Sequence, residues 1–383
     1  MPRFRSLLAL FVALPLAAQQ PESAAYVVRL GQDTIALERF TRSKGGLDGE
    51  LLTRSPITRI AKYKAVLGSD GTMTGLSWSV ARPDGMPAPN VARSGAITPR
   101  GDSADVELIL ADGTPRKIVV AWPKGSSPVL ANSYAMWEAA FRSTGNHGDS
   151  ITLRSYTPGA ARITEWPVRF RGADSAEFNY GGDWQGFRFA KDGQLIRFDG
   201  ASSTNKAKAV RVKMVDIAAL GTAFQSRDAQ GQALGPASPR DTARATVAGK
   251  ALWIDYGRPH MRGRPVWGSL VPWGTVWRLG ANAATQLKTE TPLIIGGTTI
   301  PAGMYTLWML PTATGAQLIV NKQTGQWGTA YDEKQDLVRL PLTRAALSST
   351  AEIFTIAIDA SGNGARLRFQ WDMAEYVLAV TAP

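Results

Sequence analysis

Side chains suited to binding crowd into the last third of this sequence. Asp255, Arg258, His260, Arg262 and Arg264 fall in and just before the run YGRPHMRGR; Arg278 and Asn282 follow in WRLGAN; Lys322, Gln326 and Trp327 sit together in NKQTGQWG. Trp253, Trp267, Trp273, Trp277, Trp308, Trp327 and Trp371, seven of the 12 tryptophans, lie in the same stretch. Exposed indole faces stack on sugar C–H faces while guanidinium and amide groups take paired hydroxyls, so the mixture suits carbohydrate. The competing use is structural: Trp in the core, with Arg258, Arg278 and Asn282 fastening tight loops whose backbone needs polar partners.

Other chemistries have less to work with. The chain has no cysteine and two histidines, His147 and His260, so no thiolate site exists and no HExxH pair appears. Asp332, Glu333 and Asp336 cluster in YDEKQD, but not at calcium-loop spacing, and read as a solvated acidic turn. Neither a metal nor a cofactor is predicted. Gly45-Gly46 and Gly296-Gly297 precede no helical pattern and are hairpin glycines rather than a phosphate cradle. No G-x-S-x-G elbow is present; a hydrolase would need a pair such as Asp255 with His260 near Arg278, while His147, in GNHGD beside Asp149, is a loop histidine without an evident nucleophile.

The formal charge is +12 over 383 residues, yet the basic residues are scattered and often alternate with apolar ones. That is the pattern of solvated sheet faces, so no nucleic-acid partner is expected. Arg3 and Arg5, an apolar stretch over 6–16 and the small pair Ala17-Ala18 make residues 1–18 a signal peptide, implying export to the periplasm, cell surface or medium. Its apolar run is too short to span a bilayer and none later qualifies, so no transmembrane segment remains after signal removal. Without cysteines the exported chain must hold its core unaided.

The elements that position these residues read as strands. Over 26–225 three Asp-Gly pairs, Asp70-Gly71, Asp112-Gly113 and Asp192-Gly193, separate apolar-rich runs and predict hairpins, Asp-Gly tolerating positive φ at both central positions. Val168 and Phe170 alternate with Arg169 and Arg171, and Val210, Val212 and Met214 with Arg211 and Lys213, the apolar members facing one side. One helix is expected over about 128–144, capped by Ser127, with Pro128 in its first turn, Gly145 at its end, and Leu130, Tyr134, Trp137 and Phe141 on one face. A curved antiparallel sheet with one packed helix resembles, in layout, the half-barrels that carry lipids or lipoproteins in bacterial envelopes. The concave side would then hold an apolar ligand, unless the helix plugs it as core, which is the preferred reading. Residues 226–241 lack periodicity and form a linker, and 242–383 carry short strands around Gly-rich turns, an antiparallel β-sandwich. There Leu367, Phe369 and Trp371 are expected to point inward.

Four blocks of this region, 238–268 (SPRDTARATVAGKALWIDYGRPHMRGRPVWG), 270–287 (LVPWGTVWRLGANAATQL), 295–311 (IGGTTIPAGMYTLWMLP) and 318–342 (LIVNKQTGQWGTAYDEKQDLVRLPL), resemble domain of unknown function 2911 in order and spacing over 238–380. That resemblance implies an exported bacterial protein and brings no activity. Ala283 stands where the family's GANEAT carries glutamate, so no catalytic carboxylate is expected there. The resulting expectation is an exported two-domain, mostly β protein that binds a glycan or lipid without catalysis. The alternatives are a cell-envelope hydrolase working through an acid–base pair and a structural or interaction module.

Overall fold

The computed structural model describes residues 20–145, 148–180, 182–201 and 206–383. The leader 1–18 and His147 lie outside the described residues. The chain is mostly β: the described residues form a fifteen-stranded sheet in the N-terminal region and a nine-stranded ladder in the C-terminal one.

The first sheet follows from its turns. Sequential hairpins run from Pro115–Ala121 at one edge back to Glu22–Leu30, which pairs with Ala207–Val212 and so joins a second meander ending at Ser150–Tyr156 and Ser126–Pro128. All neighbours are antiparallel except that last, parallel pair. The Asp-Gly hairpins form as expected but by different turn chemistry. Only the glycines take positive φ (82°, 91° and 79° at Gly71, Gly113 and Gly193). Each aspartate instead accepts a bond from the backbone N–H two residues on, at Thr72, Thr114 and Gln194.

The sheet curls around the helix α1, Tyr134–Arg142, whose Tyr134, Ala135, Met136, Ala139, Ala140 and Phe141 are buried in one core with both meanders. The helix is shorter than the expected 128–144. Ser126–Pro128 is drawn into the sheet beside Ser150–Tyr156, and the cap is Ser133, which accepts from the Met136 N–H. Two buried carboxylates hold the helix in place. Glu38, on Asp33–Arg42, accepts bonds from the Tyr134 and Ala135 N–H groups (2.8 and 2.9 Å) and from the Ser133 and Tyr63 hydroxyls (2.5 and 2.7 Å), extending the cap from outside the helix. Glu138, fully buried on α1, pairs with Arg42 and Arg211 (both 2.6 Å) and accepts bonds from the Tyr26 hydroxyl and the Leu195 N–H. Burial pushes the Glu138 carboxyl up, but Arg42 and Arg211 outweigh it and hold the group below the usual glutamate value. This inverts the expected faces of Ala207–Val212: Val210 is exposed while Arg211 reaches inward to Glu138. The helix therefore fills the concave side as core, as preferred on sequence.

The C-terminal ladder runs Arg240–Val247, Lys250–Gly257, Thr285–Thr289, Gly303–Pro311, Ala316–Asn321, Asp336–Ser361, Gly364–Thr381, Leu293–Ile295, Thr298–Ile300. Register breaks between Ala346 and Thr355 bend the long pair Asp336–Ser361/Gly364–Thr381. The two halves thus face each other across one core, where Ile254, Leu307 and Leu318 meet Leu367, Phe369 and Trp371. The inward alternation expected for those last three holds.

A second helix, α2, Ile217–Arg227, continues in a wider turn over Asp228–Gln232, so the expected linker 226–241 begins as helix. The sequence reading missed it: Asp216 caps it through the Ala219 N–H, and Ile217 and Phe224 pack on Leu37 and Leu52. The rest of the segment is tied to the first sheet by Thr58 N–H to Asp228, Gly235 N–H to the Pro56 carbonyl and Ser55 hydroxyl to the Gly235 carbonyl.

Candidate binding cleft between the domains

The residues singled out on sequence separate into fasteners and cleft residues. Asp255 is ion-paired with Arg240 (3.0 Å), whose guanidinium also reaches the carbonyls of Ala283 and Ala284. Arg258 clamps three groups, bonding the Phe354 carbonyl, the Thr355 hydroxyl and Asp241. His260 forms a bridge to Ile353 and its carbonyl accepts a bond from Arg264; burial first, then the neighbouring Arg262, lowers its pKa. Asp255 and His260 serve different partners, and neither lines the cleft described below. Lys322 is exposed and donates its backbone N–H to the Gln335 carbonyl, and Gln326 shares a bond with Thr306.

Arg262 is the latch between the domains. It is 5% exposed, its guanidinium pairs with Asp33 at 2.8 Å and bonds the Leu234 carbonyl at 2.9 Å, and its own carbonyl accepts the Gln32 N–H at 3.1 Å. Gly31 makes this approach feasible: at φ 61°, a Cβ there would stand 2.1 Å from the Arg262 carbonyl oxygen.

Arg278, Asn282 and Trp327 do converge. The loop after Trp277 turns back on itself, with the Thr285 hydroxyl bonded to the Leu279 carbonyl. The segment 326–328 is laced to it by Ala284 N–H to the Gln326 carbonyl and Gly328 N–H to the Asn282 carbonyl. Gly328 must be glycine, since a Cβ would lie 2.3 Å from the Arg278 Cδ. These residues form one wall of a cleft of ≈ 860 Å³ between the domains, which Trp277, Trp371 and Arg264 also line.

The opposite wall comes from the N-terminal domain and was not foreseen. It consists of Trp137 on α1, Trp166 on Thr164–Phe170, Phe178 and Tyr180 on Ser175–Tyr180, and Asp183 and Gln185 on Asp183–Phe189. Tyr180 stacks on Trp166 at 5.4 Å and 20°, and Trp137 on Phe178 at 6.0 Å and 22°. The Trp166 N–H is spent on Ser155, leaving its ring for apolar contact. Tyr180 and Trp327 are each 55% exposed, so two ring systems on opposite walls meet solvent. Burial raises the Asp183 carboxyl and lowers the Arg278 guanidinium, and each moderates the other's shift across the cleft. The available signal was the recurrence of aromatics on alternate strand positions at Phe178/Tyr180 and Phe187/Phe189; for Asp183 there was none.

Among the described residues no group of acidic or histidine side chains is arranged to hold a metal ion, and no helix is long and apolar enough to cross a membrane. Residues 238–380 match the family described as protein of unknown function (DUF2911); the N-terminal region matches no family. No curated protein matches the chain. Among solved structures, a DUF1089 family protein from Pseudomonas aeruginosa superposes on 52% of this chain and 97% of its own at 12% identity, with a TM-score of 0.34. A mutant of transferrin-binding protein B from Haemophilus parasuis covers 94% of this chain and 76% of its own at 7% identity, with a TM-score of 0.14.

Proposed function

We propose that this is an exported, non-catalytic binding protein that takes a saccharide in the cleft between its domains. One observation carries the reading: Tyr180 on Trp166, with Trp327 opposite, brackets a space edged by Arg278, Asp183, Asn282 and Gln185. Apolar ring faces for sugar C–H groups alternate with planar polar groups for hydroxyls. At ≈ 860 Å³ the cleft falls within the size range of small-molecule sites. A lipid chain suits the space less well, because its walls carry three charged side chains among the described residues, and the concave side of the first sheet is taken up by α1. Export rests on the reading of residues 1–18. The acid–base pair Asp255/His260 draws no support from the geometry.

The test is a glycan array on the secreted form, followed by titration of tryptophan fluorescence, since five tryptophans line the cleft. Binding should fall about fivefold to thirtyfold in Trp327→Ala and Tyr180→Ala, in line with about 1–2 kcal/mol for a stacked aromatic contact. Neither change should shift the melting temperature much, both residues being exposed. A folded protein that binds no glycan, or binds equally well after both substitutions, refutes the reading.

A further inference from the structure

The walls of the cleft offer more than a place for sugar rings. Its charged lining residues, among those described, are two guanidiniums, Arg264 and Arg278, against one carboxylate, Asp183. A surplus of positive charge between low-dielectric aromatic walls focuses potential into the opening. Burial lowers the pKa of both arginines, Arg264 to about 10, so the protein withdraws these cations from water.

A second, independent feature points the same way. Trp371 also lines the cleft, is 2% exposed, and stacks on Trp277 at 5.8 Å and 16°. Its indole N–H has no acceptor among the described residues. A buried donor without an acceptor costs about 1–3 kcal/mol, which a ligand acceptor would recover. Sugar hydroxyls bring donors along with their acceptors. A carboxylate or phosphoryl group brings acceptors alone and matches a donor-rich wall.

We propose that the saccharide is acidic, with its oxyanion seated at Arg278 in the cleft that Trp371 also lines. This rests on the saccharide reading above and names the class of sugar. The chemistry is an anionic oxygen group on a sugar ring, which a uronate-type carboxylate or a phosphoryl group equally supplies. Asp183 facing the same space works against an anion, so the preference must come from the guanidiniums outweighing it.

The experiment uses matched pairs on the whole secreted chain: trigalacturonate with its carboxyl-reduced form, 3′-sialyllactose with lactose, and phosphopentamannose with pentamannose. Fluorescence titration should show at least one acidic member binding about tenfold tighter than its neutral partner at low salt. The pair that discriminates identifies carboxylate or phosphoryl as the anion. Arg278→Gln should bring the two members of that pair within about twofold, while Arg278→Lys, which keeps the charge, should retain most of the difference. Trp371→Phe keeps the stack and removes the N–H. It should weaken the acidic member severalfold more than the neutral one. If acidic and neutral members bind alike in every pair, the acidic inference is wrong and the saccharide reading stands. If no member of any pair binds to protein with a native circular dichroism spectrum, both are wrong.

Discussion

Removing the Arg262 guanidinium tests whether the cleft is a property of two domains held in one arrangement. Arg262→Met keeps the stem and deletes the charge. The ion pair to Asp33 at 2.8 Å and the bond to the Leu234 carbonyl at 2.9 Å are lost. Breaking a fully buried pair costs about 3–5 kcal/mol. Here the Asp33 side chain is 26% exposed and regains water, so the loss is closer to that of one charge-assisted hydrogen bond, about 2–3 kcal/mol. If the domains melt together as one unit, at about 2.1 cal/mol/K per residue that corresponds to a fall of roughly 3–4 °C. Differential scanning calorimetry should show this fall, or a single transition splitting into two as the domains uncouple. Asp33→Asn should produce a loss of similar direction, since it leaves a guanidinium that is 95% buried facing a neutral amide. In the double-mutant cycle the pair should couple by about 1 kcal/mol or more. A melting profile within about 1 °C of the wild type, or strictly additive single losses, would refute the latch, and with it the claim that the cleft walls are fixed by contacts outside the cleft.

Gly31→Ala should loosen the same junction without touching charge, because its Cβ would meet the Arg262 carbonyl oxygen at 2.1 Å and its φ of 61° disfavours a side chain; limited proteolysis should then cut faster between residues 228 and 241. Gly328→Ala should displace the Arg278 side chain, which its Cβ would crowd at 2.3 Å, and strain the loop through the Asn282 carbonyl at 2.5 Å, lowering both saccharide affinity and melting temperature. Glu138→Gln probes pH dependence: the carboxyl is depressed in the fold by Arg42 and Arg211, so its contribution is present above its ordinary value of 4.5 and is lost as pH falls through the folded value. Urea titrations between about pH 5 and 2 should therefore show a shallower acid decline in the glutamine variant, on a lower plateau at neutral pH.

Local chemistry was legible in the sequence and long-range pairing was not. The Asp-Gly turns and the Leu367/Phe369/Trp371 alternation each depend on residues a few positions apart, and both formed. Ser127-Pro128 carried a plausible helix start, but the non-local ladder to Ser150–Tyr156 claimed it for the sheet, and Ser133, backed by Glu38, became the cap. Arg211 looked like an outward charge because nothing nearby in sequence announces a buried glutamate; its partner Glu138 lies 73 residues away. The same blindness divides the site. Arg278, Asn282 and Trp327 were named because they sit in dense motifs, whereas Trp137, Trp166, Tyr180 and Asp183 come together only through the curl of the sheet. Arg262 and Arg278 are the same residue type in the same kind of motif, and only burial and partner distinguish the latch from the cleft residue.

The charge network around α1 also decides where a ligand can go. For the concave side of the first sheet to accept a lipid, α1 would have to leave, exposing Met136, Ala139 and Phe141 and stripping Glu38 of the two N–H groups it caps. It would also separate Glu138 from Arg42 and Arg211 in a buried setting, where breaking one such pair costs about 3–5 kcal/mol. A single acyl chain gains about 0.8 kcal/mol per buried methylene, so it would spend much of its binding energy on displacing the helix. The cleft makes no such demand, since its ring faces at Tyr180 and Trp327 are already open to solvent. The plugged sheet then acts as a rigid platform: it fixes Trp137 on its helix and Trp166 and Tyr180 on its strands, while the Arg262 latch brings Arg278 and Trp327 to face them. Affinity should accordingly depend on the latch and on the cleft walls, and be insensitive to conservative changes in the hydrophobic interior of the first sheet.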